Sequence, residues 1–355
     1  MNKRPPRYGV KEETINTLLV DGNALYKVGF HGAKSEVNYK GQPIGGLYQF
    51  ILMVRKLLNE NLYHRVFVFW DGNLSGKLRY EIYHPYKSGR GKDFLNGTYP
   101  KEEDELLQRL MIQEYLEELF IRQLQHEIIE GDDFIAYYCL QSEINEKITI
   151  MTNDRDMCQL ISENVRIYFL DLKKYVDNIN YFEYFSHHPD NAALIKTIIG
   201  DNSDTIKGIK GVKEKTLISL FPDIKNRKVT LEEIINQAKQ LQDERLAKKQ
   251  KPLKTLNNII NRVTDGVQGE LIYEINDKLV NLSNPMMTED GIEQLEHLIH
   301  GTIDPSDRGI KNVLIKMKRD GLERIIGEYR YPEFLMPFKK LIEREIKNTK
   351  KQQYE

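Results

Sequence analysis

Cysteine is nearly missing: Cys139 and Cys158 are the only two in 355 residues, and both sit in apolar segments. Two are too few for a disulfide framework or a zinc ligand set, and their scarcity fits a reducing compartment. No run of about 18 apolar residues could span a bilayer. The opening MNKRPPRYGVKEET has basic residues but lacks the apolar core of a secretory signal. A cytoplasmic protein with no membrane partner is expected. An excess of one charge is missing too: 52 Lys and Arg face 53 Asp and Glu, a net charge of -1. That excludes a nonspecific polycation, so any nucleic-acid binding must come from clustered cations, with the acids gathered elsewhere. No period of about 20–50 residues marks a repeat array.

What is present suffices for a substantial core, with 40% apolar and 30% charged residues. The first half alternates strand-length apolar runs with helical patterns. TLLVDG (17–22), RVFVFWDG (65–72), HEIIEGDD (126–133), KITIMTNDRD (147–156) and NVRIYFLD (164–171) read as strands, several of them ending in acid. IGGLYQFILMVRKLLNEN (44–61), EDELLQRLMIQEYLEELF (103–120) and DDFIAYYCLQSEI (132–144) have helical spacing. This alternation predicts an α/β fold with a mainly parallel central sheet flanked by helices. From about residue 190 onward only helical periods are evident. The expected organisation is a flexible tail over 1–14, an α/β core over 15–190 and a helical region over 191–355. The tail's Lys3, Arg4 and Arg7 suit a polyanion or simply solvent. The lysine- and glutamine-rich run 225–254 reads as a helical or partly flexible insertion, with Lys239, Arg245, Lys248, Lys249, Lys251 and Lys254 on a solvated face or against a duplex.

In open α/β sheets, ligands bind outside the carboxyl ends of the strands. Asp21, Asp71 and Asp154 follow strand runs directly, and Glu130 follows HEII. Asp132 and Asp133 open the next helix, and Asp156, Asp201 and Asp204 complete a set of nine acids. Singly, each reads equally as a helix cap or a turn residue. Gathered at one edge, such carboxylates raise one another's cost of ionisation, and hard divalent cations relieve it. Oxygen ligands suit Mg²⁺ or Mn²⁺, and two such ions can hydrolyse a phosphodiester.

GKLRYEIYHPYKSGRGK (76–92) follows Asp71 closely, with Lys77, Arg79, Lys87, Arg90 and Lys92 against one acid and with Tyr80, Tyr83 and Tyr86 interleaved. Cations bind phosphate and aromatic faces stack on unpaired bases, although a solvated loop has the same composition. Lys87 or Arg79 is placed to neutralise charge on a reacting phosphate. Farther on, GDNSDTIKGIKGVKEKT (200–216) sets two acids beside glycines and lysines.

The ordered set VDGN, FWDG, LRYEIYHPYKSGR, EGDDFIAYY, TNDRDMCQL and GDNSDTIKGIKGVKEKT resembles the flap endonuclease / 5′→3′ exonuclease family over residues 15–220. The likeness is greatest to its phage members, which include the ribonuclease H of T-even phages. The resemblance implies a PIN-like nuclease core and a two-metal enzyme acting near free 5′ ends, on branched DNA and on RNA–DNA hybrids. It implies that Asp21, Asp71, Glu130, Asp132 and Asp133 hold a first Mg²⁺, and that Asp154, Asp156, Asp201 and Asp204 hold a second. Lys87 and Arg90 match basic residues at the base of a helical arch spanning about 77–105, Arg79 a basic position before it, and Tyr86 an aromatic that stacks on DNA. Lys92 lies within the arch. Residues 201–221 match a helix–turn–helix that grips duplex DNA through Lys207, Gly208, Lys210, Gly211, Lys213 and Lys215. Lys213 replaces a glycine of the family's turn, which tells against the potassium ion some members hold there and leaves a direct lysine–phosphate contact or a surface side chain. A role in replication, with single-strand-binding protein or a sliding clamp as candidate partners, a monomeric state and the host cytoplasm for a phage gene are further implications. A junction-binding protein of the same fold without catalysis is the alternative, and it predicts a lost metal acid where none is lost. A small-molecule phosphohydrolase would need D-x-D after the first strand, where this chain has VDGN.

Overall fold

The computed structural model describes residues 14–32, 41–91, 94 and 103–354. In chain order the elements of the first half are β1 (Ile15–Asp21), α1 (Gly22–Gly32), α2 (Gly45–Glu60), β2 (Arg65–Asp71), α3 (Lys77–Ile82), α4 (Glu103–Glu118), β3 (Arg122–His126), α5 (Gly131–Gln141), β4 (Glu146–Thr152), β5 (Val165–Phe169) and β6 (Lys174–Val176). They build one sheet in the order β3-β2-β1-β4-β5-β6, parallel except for β6. The α/β expectation holds. Alternation along the strands divides the core: Leu18, Val20, Val66, Val68 and Trp70 face α2 and α4, while Leu19, Phe67, Phe69, Ile148 and Ile150 face α5. Both faces are covered, so the strands read as continuous apolar runs.

The chain builds outward from β1 to β3, then returns to β4 on the other side of β1. The direction of winding therefore switches between β1 and β4, where a crevice opens at the carboxyl ends. Asp21 closes β1 level with Phe69, and Asp71 closes β2 level with His126. One strand expectation fails. β3 ends at His126, so HEII is a loop in which the His126 ring accepts the Ile128 and Ile129 N–H groups, and Glu130 stands at the mouth of α5.

The second half contains α6 (Ala192–Ile199), β7 (Gly200–Asp201), β8 (Ile206–Lys207), α7 (Glu214–Leu220), α8 (Leu231–Ala247), α9 (Lys254–Ile260), α10 (Ile272–Val280), α11 (Glu289–His300), α12 (Ile310–Arg319), α13 (Glu323–Ile326) and α14 (Tyr331–Tyr354). The β7–β8 pair corrects the all-helical expectation; two residues per strand leave no periodicity to read. Residues 201–221 hold one helix and a turn, and the other helix of the motif is α6, ending before that range. Within the run 225–254, α8 is an ordered helix over Leu231–Ala247, begun by a Thr230/Glu233 capping box. Helices α6 to α10 enclose their own core around Ile198, Leu217, Phe221 and Tyr273. Helices α11 to α14 instead return to the sheet: Leu295 joins one face, and Val313, Phe334 and Phe338 join the other. The helical region thus divides near residue 281, because those amphipathic helices cover open faces of the α/β core. No helix among the described residues is long and apolar enough to cross a membrane.

Candidate active site

The strand-end carboxylates meet in a cleft of about 350 Å³ lined by Asp21, Asp71, Glu130, Asp132, Asp154, Asp156, Asp201 and Asp204. Backbone groups fix several of them. Asp21 accepts the Ala24 N–H at 2.9 Å, opening α1, and the Thr152 hydroxyl at 2.8 Å. Asp71 accepts the Gly131 N–H at 2.9 Å, and Asp154 accepts the Asp156 N–H at 2.8 Å. Capping and convergence on one cleft are therefore compatible roles of the same side chains.

The cleft acids fall into two electrostatic groups. Asp21, Asp71, Asp132 and Asp154 have no ion-pair partner among the described residues. Burial pushes Asp21 up to about 6, and Asp71 and Asp154 add to the rise against the Ala24 and Thr152 hydrogen bonds. Asp132 is pushed well above the carboxylate range by burial and then by Asp21, Asp154 and Asp71. The second group is paired. Glu130 bonds Lys87, Arg79 at 2.7 Å and the Tyr86 hydroxyl at 2.9 Å, and against its burial these partners hold it well below the usual range. Asp204 pairs with Arg90. Lys196 bridges Asp156 and Asp201; burial raises Asp201, but Lys196 and Ser203 outweigh it and bring it down to about 2. No three His, Cys, Asp or Glu side chains among the described residues close into a ready metal shell.

Three predicted roles change. Asp133 does not reach the cleft: it is buried, bound by both terminal nitrogens of Arg79 at 2.5 and 2.9 Å, and accepts the Met286 N–H at 2.9 Å. Turned onto Arg79 and away from the cleft, this carboxylate is not placed to meet an ion there. Arg79 is equally buried, so it cannot act as a mobile phosphate clamp. Tyr86 is 2% exposed, with its hydroxyl between Glu130 and Asp204, so its ring cannot stack on a base from this position. Lys87 and Arg90 do face the cleft, and the Lys87 N–H donates to the Asp204 carbonyl at 2.9 Å. Lys92 and residues 95–102 of the predicted arch lie outside the described residues. Sequence reading missed Lys196 of α6, because a lysine in the last turn of an apolar helix reads as a solvated side chain facing the helix dipole.

Lys207, Lys210, Lys213 and Lys215 are exposed on the turn region after Asp204. Gly208 is required by close approach, because a Cβ there would lie 2.0 Å from the Ile199 carbonyl carbon. Gly211 takes the left-handed conformation at φ +75° and meets open space. Lys213 is extended at φ -122°, a conformation any residue adopts, so the backbone here does not require the glycine that the family pattern carries.

A family model described as the N-terminal resolvase-like domain of 5′-3′ exonuclease matches residues 16–186. The chain is 30% identical over 208 residues to a thermostable DNA polymerase I of Thermus thermophilus, covering 58% of this chain and 24% of that one. It thus spans about a quarter of the length of such polymerase relatives. It is 30% identical over 220 residues to a 5′-3′ exonuclease of Mycoplasmopsis pulmonis, covering 61% of this chain and 69% of that one. In fold it is similar to the T5 5′-exonuclease with bound zinc ions, with a TM-score of 0.55 and 19% identity over 87% of this chain and 98% of that one. A T5 D15 flap endonuclease in complex with DNA and metal ions gives 0.53 and 17% over 91% and 99%. With a family model over its α/β core and a relative matched along more than two thirds of its length, the chain belongs to the 5′-3′ exonuclease family.

Proposed function

We propose that this protein is a divalent-metal-dependent, structure-specific 5′ nuclease. It hydrolyses phosphodiesters at DNA flaps and nicks and in the RNA of RNA–DNA hybrids, and it serves primer removal in DNA replication or repair. One observation carries the reading: four carboxylates without a cationic partner crowd the switch point of the sheet, beside Lys87, Arg90 and Lys196 and next to an exposed lysine turn. The donor set is all oxygen and its crowding calls for positive charge, which fits Mg²⁺ or Mn²⁺. Asp21, Asp71, Glu130 and Asp132 would hold one ion, and Asp154, Asp156, Asp201 and Asp204 a second. Bound there, such ions supply Lewis acidity toward phosphoryl oxygen and lower the pKa of water.

The chain's own side chains do the rest. Lys87, kept protonated by Glu130 despite its burial, offers its ammonium to the phosphate undergoing attack. Arg90 takes a neighbouring phosphate. The turn around Gly211 and Lys213 holds the duplex by exposed N–H groups and a direct ammonium contact, without need of potassium. Asp71→Asn and Asp132→Asn test the assignment: each should abolish cutting of a 5′-flap substrate in Mg²⁺ while leaving duplex affinity intact. Normal cutting by either variant would remove that residue from the site.

A further inference from the structure

Asp133 sits behind the cleft and Arg79 forms part of its buried wall, and both side chains are fully engaged in hydrogen bonds. The Arg79 Nε donates to the Leu279 carbonyl at 2.8 Å, while its terminal nitrogens hold Glu130 and Asp133. Leu279 lies at the end of α10. The segment after it stays fastened: Gln159 donates to the Val280 carbonyl at 2.9 Å and accepts the Leu282 N–H at 3.0 Å, and the Met286 N–H reaches Asp133. Gln159 belongs to the short 3-10 helix Arg155–Leu160, which carries Asp156 and is capped by Asp154.

At its middle, α10 is tied to the lysine turn. The fully buried Asn276 donates to the Thr197 carbonyl of α6 at 3.0 Å and to the Lys207 carbonyl of β8 at 2.9 Å. A continuous set of directional bonds therefore runs from the turn through α10 to both groups of acids. A buried ion pair adds little stability over apolar packing of the same volume, but its bonds fix geometry.

We propose that α10 and residues 279–286 set the distance and register between the gripped duplex and the acid cluster, with Arg79, Asp133 and Gln159 as positioning residues. The proposal rests on the nuclease reading for its consequence: the choice of which phosphodiester enters the site. Gln159→Ala, which removes one half-buried amide, and Arg79→Lys, which keeps the charge but loses the fork, should bind duplex as the unaltered protein does. Both should cut about 100-fold more slowly, and their products should spread over neighbouring phosphodiesters instead of one.

The experiment resolves products of an end-labelled flap at single-nucleotide resolution. In parallel it measures the distance distribution between spin labels at Glu127→Cys on the core and Lys215→Cys at the start of α7, directly after the turn. A broadened distance distribution together with a smeared cut supports the proposal. An unchanged distribution and an unchanged cut site in Gln159→Ala overturn it, whatever the fate of Arg79→Lys, whose folding is checked by thermal melting. Absence of cutting by the unaltered protein would sink the nuclease reading alone, since the distance measurement still decides whether Gln159 couples the two parts.

Discussion

Asp21→Asn should make the metal-free protein more stable while disabling it. In the folded chain, burial and the charges of Asp71 and Asp154 raise Asp21 from the ordinary 3.8 to about 6. That is roughly two pKa units, or about 3 kcal/mol of destabilisation above pH 6. Asparagine removes the ionisable group, keeps an oxygen for the Ala24 N–H, and caps a helix about as well as aspartate does. Losing the favourable interaction of a carboxylate with the start of α1 returns about 0.5 kcal/mol. Solvent at the cleft mouth screens part of the remainder, leaving a gain of about 1–2 kcal/mol, or a few degrees in Tm. Melting at pH 7.5 in chelator reads this directly. Repeating it in Mg²⁺ should reverse the order, because ligand binding stabilises the unaltered protein and should stabilise the variant much less. Cleavage should fall at least about 100-fold, since even outer partners of metal ligands are worth that much. A variant that melts lower in chelator, or gains as much from Mg²⁺ as the unaltered protein, would refute the idea that Asp21 is a strained carboxylate awaiting a cation.

Lys196→Met should act in the opposite direction in the absence of metal. It leaves Asp156 and Asp201 unpaired in a half-buried site, and urea unfolding should show a loss of about 2 kcal/mol. Lys213→Ala should weaken duplex binding by about 1 kcal/mol and flatten its salt dependence in an anisotropy titration; the unaltered protein should bind equally in potassium and sodium. Gly208→Ala should cost more than about 3 kcal/mol or prevent soluble expression, because its Cβ would overlap the Ile199 carbonyl. Tyr86→Phe should keep duplex affinity and slow cleavage, as the ring is packed and only its hydroxyl touches Glu130 and Asp204.

The acids were legible because a parallel sheet delivers strand ends to one edge, and a run such as TLLVD gives both the strand and its end. Glu130 was found for a partly wrong reason: HEII is apolar and short, which cannot distinguish a strand from a loop pinned by the His126 ring. The division of labour among the acids was not legible. EGDD shows two adjacent aspartates; only the fold turns Asp132 into the cleft and Asp133 onto Arg79. Tyr86 carried the composition of a stacking residue, but its hydroxyl decided its orientation. Lys196 lay on a helix whose apolar pattern gave no reason to examine its lysine. Helices α11 to α14 read as a separate region because amphipathicity reports that a face is buried, not against what.

The most direct measurement uses purified protein with Mg²⁺ and matched 5′-flap, nicked, single-stranded and RNA–DNA hybrid substrates, with the product ladder and end groups determined. The account predicts cutting near the 5′ end of the branched and hybrid substrates, products bearing 5′-phosphates, and complete loss of cutting in chelator. Tight binding to the flap with no cleavage in Mg²⁺ or Mn²⁺ would contradict it and leave a junction-binding protein in its place.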